Sequence, residues 1–310
     1  MFHIPQNSFY AMVSVIILLA LSSCIVFLLK TKNSAIDYTE LQQRVRSWWW
    51  IIGILFAALI FNKKITVLFF GFLSFLALKE FCSMVAIRHA DRRVLFWAYV
   101  SIPIQYYLVF IGWYGMFIIF IPVYMFLFLP IRMVLIGENN GFIKSAGVIH
   151  WATMLTVFCI SHIAYLLALP VKNMEAGNIG LILFLLLITQ FNDICQYIWG
   201  KTIGKRKIIP KVSPNKTWEG FLGAVATTAT LSWFIAPSLT PLTSEHGILV
   251  GLTISISGFF GDVVISSVKR DLQLKDTGTL IPGHGGILDR LDSTLYTAPL
   301  FFHIIYYIVY

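Results

Sequence analysis

Apolar residues run along this chain in blocks of about twenty, separated by short polar segments, which is the length a helix needs to cross a hydrocarbon layer. Ten blocks are read as candidate spans, at approximately 9–30, 47–61, 65–87, 94–113, 116–136, 147–169, 179–199, 220–239, 247–267 and 294–310. The block 47–61 is short, the block 65–87 carries Lys79 and Glu80, and Pro103 is placed to kink the block 94–113. The predicted fold class is an all-α integral membrane protein, a multi-pass bundle of about nine to ten transmembrane helices. Its expected organisation is N-terminal helices over 1–90, middle helices over 91–178, and a catalytic transmembrane region over 179–310 with polar loops at 200–219 and 268–293. The first block is read as a span, because no small-residue cleavage site marks it as a leader.

Composition agrees with this pattern. Of 310 residues, 58% are hydrophobic and 12% charged, against about 45–50% and about 25% in soluble domains. The formal net charge of +9 would suit nucleic acid, but its distribution argues for topology instead. With the loop 200–219 placed in the cytoplasm, Lys30, Lys32, Arg44, Arg46, Arg88, Arg92, Arg93, Arg132 and Lys144 fall on that side. So do Lys201, Lys205, Arg206, Lys207, Lys211, Lys216, Lys269, Arg270, Lys275 and Arg290, making 19 of the 23 Lys and Arg. Lys63, Lys64 and Lys172 fall opposite, and Lys79 is within a span. A cytoplasmic excess of this kind is the expected bias of membrane proteins, and no nucleic-acid partner is expected. Cys24, Cys82, Cys159 and Cys195 each lie in an apolar run with no metal-ligand spacing, and are read as small buried residues.

Two cytoplasmic segments hold most of the polar chemistry: Trp199 to Gly220, and Gly261 to Ser293. Asp262, Ser266 and Lys269 are spaced to share a helix face at the inner end of the ninth span. A carboxylate there is expensive and marks a functional candidate, although pairing with Lys269 or Arg270 would also account for it. Beyond lie Lys275, Asp276 and a Pro282-Gly283-His284-Gly285-Gly286 turn, whose glycines let a backbone approach an anion. Asp289 and Asp292 would share a face if the last helix starts here, with Asp292 or Ser293 as its cap. Carboxylates interleaved with Lys and Arg at a membrane surface suit phosphate chemistry with a hard divalent cation. The basic residues of the first segment, with Ser213, Pro214 and Asn215 among them, would bind a triphosphate or an anionic head group. Gly200-Lys201-Thr202 lacks the upstream glycine of a P-loop, since Cys195 stands there. Asn192, Asp193, Gln196 and Tyr197 end the seventh span and suggest a water-accessible cavity. Glu80 and His162 are read as packing or pairing residues.

Ser266 to Asp292, with Lys269-Arg270, Lys275-Asp276, Pro-Gly-His-Gly-Gly and Asp289-Arg290-x-Asp292, closely resembles the signature of the phosphatidate cytidylyltransferase (CDP-diglyceride synthase) family. Pro210-Lys211-x-Ser213-Pro214-x-Lys216-Thr217-x-Glu219-Gly220 resembles a second block of that family. The resemblance implies transfer of CMP from CTP to phosphatidic acid, giving CDP-diacylglycerol and pyrophosphate, with Mg²⁺, K⁺ as a companion ion, and a homodimer. It implies Asp262 and Asp289 as metal ligands. Asp262, Asp289, Lys269, Arg270 and His284 become the catalytic set. Asp193, Ser213, Lys216, Ser266, Lys275, Asp276, Gly285, Gly286, Arg290 and Asp292 become the substrate-binding set. The family pattern at the end of the seventh span is Asp-x-x-Ala-Tyr, whereas this chain has Gln196 before Tyr197. The expected location is the bacterial inner membrane, with the catalytic loops facing the cytoplasm. Rival readings are an enzyme acting on another lipid phosphate, a CTP-dependent lipid kinase, and an anion transporter; a visible inverted repeat, the mark of many transporters, is lacking.

Overall fold

Once a helix is buried in lipid, every backbone polar group must be satisfied within the segment, so long apolar blocks become helices. The computed structural model, which describes residues 4–32, 37–278 and 285–310, follows that rule. We number its long helices α1 (Gln6–Lys32), α2 (Thr39–Phe61), α3 (Lys63–Met84), α4 (Arg92–Ile111), α5 (Tyr114–Val134), α6 (Phe142–Ala168), α7 (Gly177–Thr202), α8 (Trp218–Leu239), α9 (Ser244–Asp271) and α10 (Leu288–Val309). Among the described residues, α1 to α9 are each long and apolar enough to cross a membrane. The tenth, α10, coincides with the last expected block but begins with Asp289, Arg290 and Asp292. The protein is thus a multi-pass all-α membrane protein.

Several ends differ from the hydropathy blocks for physical reasons. α2 begins at Thr39, well before 47, because Glu40, Gln42, Gln43, Arg44 and Arg46 continue the helix outside the apolar stretch. Helix α4 runs through Pro103 without a break. α5 and α6 each contain a π-helical stretch, at Phe120–Met125 and Met154–Cys159. α10 starts at Leu288, so Asp292 and Ser293 lie inside it rather than capping it.

Lipid-facing and protein-facing surfaces divide clearly. Leu18, Phe27, Leu68, Phe72, Phe126, Leu127 and Phe234 are exposed apolar side chains of the kind a bilayer covers. Phe117, Phe184, Phe301, Phe302 and Leu78 are wholly buried in the core. His162, read as a packing residue, is buried against the rings of Phe117, Phe158 and Phe302.

Small residues let α8, α9 and α10 close on one another, as is usual where no hydrophobic force acts between helices in lipid. A Cβ on Gly251 would stand 2.7 Å from Ser232 Cβ and 2.8 Å from Ala229 Cα, so α8 and α9 pack in near-backbone contact. A Cβ on Gly261 would stand 2.5 Å from the Asp292 carbonyl oxygen, which sets the beginning of α10 against the end of α9. α9 has 28 residues and is therefore about 42 Å long, more than the ~30 Å hydrocarbon. Asp262 stands about 27 Å along it by the same rise, near the edge of the apolar layer. The polar ends of α7, α9 and α10 and the start of α8 meet there.

Candidate active site

The segment after α7 folds back on itself. Lys207 and Thr217 form an isolated antiparallel bridge, Ile208 N donates to Lys216 O (3.1 Å), and Trp218 N donates to Arg206 O (2.9 Å). Glu219, in the first turn of α8, accepts from Lys205 N (2.9 Å) and Arg206 N (3.1 Å). Thr217 Oγ1 accepts from Gly220 N at 3.2 Å and caps α8. This hairpin-like return delivers Lys216 to the helix ends. Its ammonium lies 2.6 Å from Asp262 Oδ2, donates to Gln196 Oε1 at 2.7 Å, and stands 5.6 Å from the centroid of the Phe259 ring. Ser213 shapes the same turn through its backbone, its N–H donating to Ile209 O and its carbonyl accepting from Lys216 N.

On α9 the i, i+4 relation predicted between Asp262 and Ser266 is present: Ser266 Oγ donates to Asp262 Oδ1 at 3.2 Å. The partner of Asp262 is neither Lys269 nor Arg270, the pairing that helix spacing had offered, but Lys216 from the other polar segment. Lys269 instead reaches α10, where its Nζ lies 2.7 Å from Asp289 Oδ1; the two side chains are only 12% and 5% exposed. Arg270 is exposed and donates at 3.4 Å to the carbonyls of Val212 and Leu274.

Asp289 Oδ2 is held separately. It accepts from Thr277 N (2.7 Å), Thr277 Oγ1 (2.9 Å) and Gly286 N (3.1 Å). Gly285 has φ +76°, a conformation that L side chains rarely adopt, and a Cβ there would meet Asp289 Oδ2 at 2.5 Å. The glycines at this turn therefore let backbone N–H groups reach the carboxylate. Both aspartates share one plan. One oxygen is oriented by neutral donors, and the other is covered by a single flexible lysine.

Glu80, the residue read as mere packing or pairing, organises this turn from α3. Glu80 Oε2 accepts from Ile287 N (2.8 Å), and Oε1 accepts from Leu288 N (2.9 Å) and stands 2.5 Å from Thr277 Oγ1. It occupies the start of α10, where unpaired N–H groups attract a carboxylate. The only sequence signal was an acidic residue inside an apolar block.

Asp193, Asp262 and Asp292 lie within mutual electrostatic reach, and Lys216, Lys269 and Arg290 act on one or another of them. Ser293 Oγ donates to Asp193 Oδ1 at 3.1 Å. Lys275 and Asp276 are exposed beside the turn. Tyr197 points outward, against Lys201, so of the four polar residues ending α7 only Asn192, Asp193 and Gln196 face inward. His284, assigned to the phosphate turn, lies outside the described residues.

Among the described residues no three His, Cys, Asp or Glu side chains converge closely enough to hold an ion by themselves. Magnesium asks for less, because it keeps waters and substrate phosphate oxygens and takes only one or two carboxylates. The donor set fits that need. Asp262 Oδ2 and Asp289 Oδ1 are hard oxygens, each with one lysine as its described partner. Exchange of that lysine for a cation leaves Ser266 holding Asp262, and Thr277 and Gly286 holding Asp289.

Comparison with known proteins places this arrangement. The profile described as "Cytidylyltransferase family" matches residues 42–308, which include every site residue above. A protein of Escherichia coli (strain K12), called "Uncharacterized protein YnbB", is 47% identical over 272 residues, 87% of this chain and 89% of its own length. A "Phosphatidate cytidylyltransferase" of Bacillus subtilis (strain 168) is 32% identical over 169 residues, 54% of this chain and 61% of its own. One of Mycobacterium leprae (strain TN) is 40% identical over 119 residues, 38% of each chain. The matches to these last two thus span less than two thirds of their lengths. A family-wide match over most of the sequence, on a bundle whose polar end gathers the signature aspartates and lysines, shows that this chain is a nucleotidyltransferase belonging to the cytidylyltransferase family.

Proposed function

We propose that the protein transfers the cytidylyl group of CTP to phosphatidic acid, giving CDP-diacylglycerol and pyrophosphate. The observation that carries the proposal is the pair of aspartates, Asp262 and Asp289, each oriented on one oxygen and lysine-covered on the other, at one end of a lipid-facing bundle. The names of the Bacillus and Mycobacterium relatives support phosphatidate as the acceptor.

In this reading the polar end faces the cytoplasm at a bacterial inner membrane. CTP arrives from water and the lipid phosphate enters sideways from the inner leaflet. A non-bridging oxygen of the lipid phosphate attacks the α-phosphorus of CTP in line. The bond from that phosphorus to the oxygen bridging it to the β-phosphorus breaks, and pyrophosphate leaves with the electron pair. The attacking phosphate is already anionic, so no general base is required. Lys216 and Lys269 move from carboxylate to phosphate as substrates bind, and Arg270, Lys275 and Arg290 add positive charge around the leaving group. Asp262 and Asp289 would hold Mg²⁺, which supplies charge neutralisation on the triphosphate, with K⁺ as its companion. Gly285, Gly286 and His284 shape the turn at the phosphates. Ser213, Ser266, Asp193, Asp276 and Asp292 line the substrates, and the protein acts as a homodimer.

The test is pyrophosphate release by detergent-purified protein given CTP and Mg²⁺, with and without phosphatidic acid. Release that requires phosphatidic acid is expected. Release of CDP instead, or no release with any lipid phosphate from folded protein, refutes the proposal.

A further inference from the structure

The end of α7 carries two buried side-chain amides on one helical face. Asn192 is fully buried, and its Oδ1 accepts from Ser255 Oγ (2.5 Å) and Thr228 Oγ1 (3.4 Å). Gln196, one turn nearer the polar end, is 6% exposed, and its Oε1 accepts from Lys216. In both, the carbonyl oxygen is used, while Asn192 Nδ2 and Gln196 Nε2 are buried and find no acceptor among the described residues. The assignment at Gln196 follows from chemistry, because a lysine ammonium only donates and the oxygen must face it.

A buried N–H group without an acceptor is costly, and native structures rarely leave one without a purpose. Asn192 Nδ2 is enclosed, since a Cβ on Gly258 would approach it to 3.4 Å. Gln196 Nε2 is equally buried, but its amide lies one turn nearer the polar end, beside the Lys216 ammonium. It shares the Lys216 ammonium with Asp262, and Asp193 lies three residues before it on the same helix. Its free N–H groups therefore sit among charges arranged for a phosphorylated ligand. They offer a neutral donor beside the cation, where a phosphate oxygen can accept from the Gln196 amide and the Lys216 ammonium together.

We infer that Gln196 is a specificity-determining residue that contacts substrate: its Nε2 donates to a phosphate oxygen of a bound phosphorylated substrate, while its Oε1 holds Lys216 in position. The inference deepens the proposed function and rests on the same site. The phosphate belongs either to the nucleotide or to the lipid, and binding measurements on each separate the two.

The experiment measures equilibrium binding of CTP, and separately of phosphatidic acid in detergent micelles, to intact purified wild type, Gln196→Glu and Gln196→Ala. Gln196→Glu keeps an oxygen for Lys216 but replaces the donor with an acceptor. The expected result is a loss of affinity of about tenfold or more for one of the two ligands, in both variants, with the other ligand little affected. Loss for CTP assigns the contact to the nucleotide, and loss for the lipid assigns it to the acceptor. Unchanged affinity for both ligands overturns the inference and leaves an ordered water as the acceptor, as does a lowered melting temperature with unchanged affinities. So does absence of binding to wild type. Binding that depends on Gln196, in protein that transfers no cytidylyl group, sustains this inference and sinks the proposed function alone.

Discussion

Glu80 lies about two hundred residues from the turn it holds, and its removal tests whether α3 organises the site. Its carboxylate takes Ile287 N at 2.8 Å and Leu288 N at 2.9 Å and stands 2.5 Å from the Thr277 hydroxyl. Gln at position 80 keeps the shape but loses the charge, and its amide group faces an N–H in place of an acceptor. A lost helix cap costs about 0.5–2 kcal/mol, and a carboxylate at a helix N-terminus contributes about 0.3–2 kcal/mol. These overlap, so Glu80→Gln is expected to destabilise by roughly 1–3 kcal/mol. The larger consequence is functional. Thr277 and Gly286 orient Asp289 Oδ2, and both lie in the turn that Glu80 anchors. Under the proposed function, in which Asp289 holds a metal, loss of this outer support is expected to cost about 10–100-fold in activity. The assay is thermal unfolding together with turnover of CTP and phosphatidic acid by Glu80→Gln and Glu80→Ala. A variant indistinguishable from wild type in both would refute the view that α3 organises the site.

Three further outcomes follow from the geometry. Lys269→Met leaves the buried Asp289 Oδ1 without its cation, a change expected to cost about 3–5 kcal/mol when one partner of a buried pair is removed; unfolding and turnover should both suffer, and a fully active, stable variant would contradict the pairing. Gly251→Val forces a side chain against Ser232 and Ala229 and should destabilise the α8–α9 contact by roughly 1–3 kcal/mol, seen as a lower melting temperature in detergent. Chelation of divalent cations should stop turnover and Mg²⁺ should restore it, with Asp262→Asn folded yet not restored; turnover that survives chelation would remove the metal from the scheme.

Periodicity made the spans legible, because lipid imposes the same length on every crossing helix. It could not show how far α2 runs beyond the apolar layer, since Glu40, Gln42, Gln43, Arg44 and Arg46 carry no hydropathy signal while keeping helical geometry. Within the site, the local relation was readable: Asp262 and Ser266 are four apart on one helix, and they meet. The charge pairs were not, because Lys216 with Asp262 and Lys269 with Asp289 join different elements. Spacing offered Lys269 or Arg270 as the partner of Asp262, whereas tertiary packing brought a lysine from another loop. Glu80 was illegible for the same reason. The resemblance supplied the identities of the signature residues, and the fold supplied their partners.

The most direct test of the central claim follows two labels through one reaction. Purified protein is given Mg²⁺ and phosphatidic acid with CTP labelled at either the α- or the γ-phosphorus, and the lipid phase is extracted. Cytidylyl transfer predicts α-label in the lipid and γ-label only in aqueous pyrophosphate. Label from the γ-phosphorus in the lipid, or from neither position in folded protein, would contradict it.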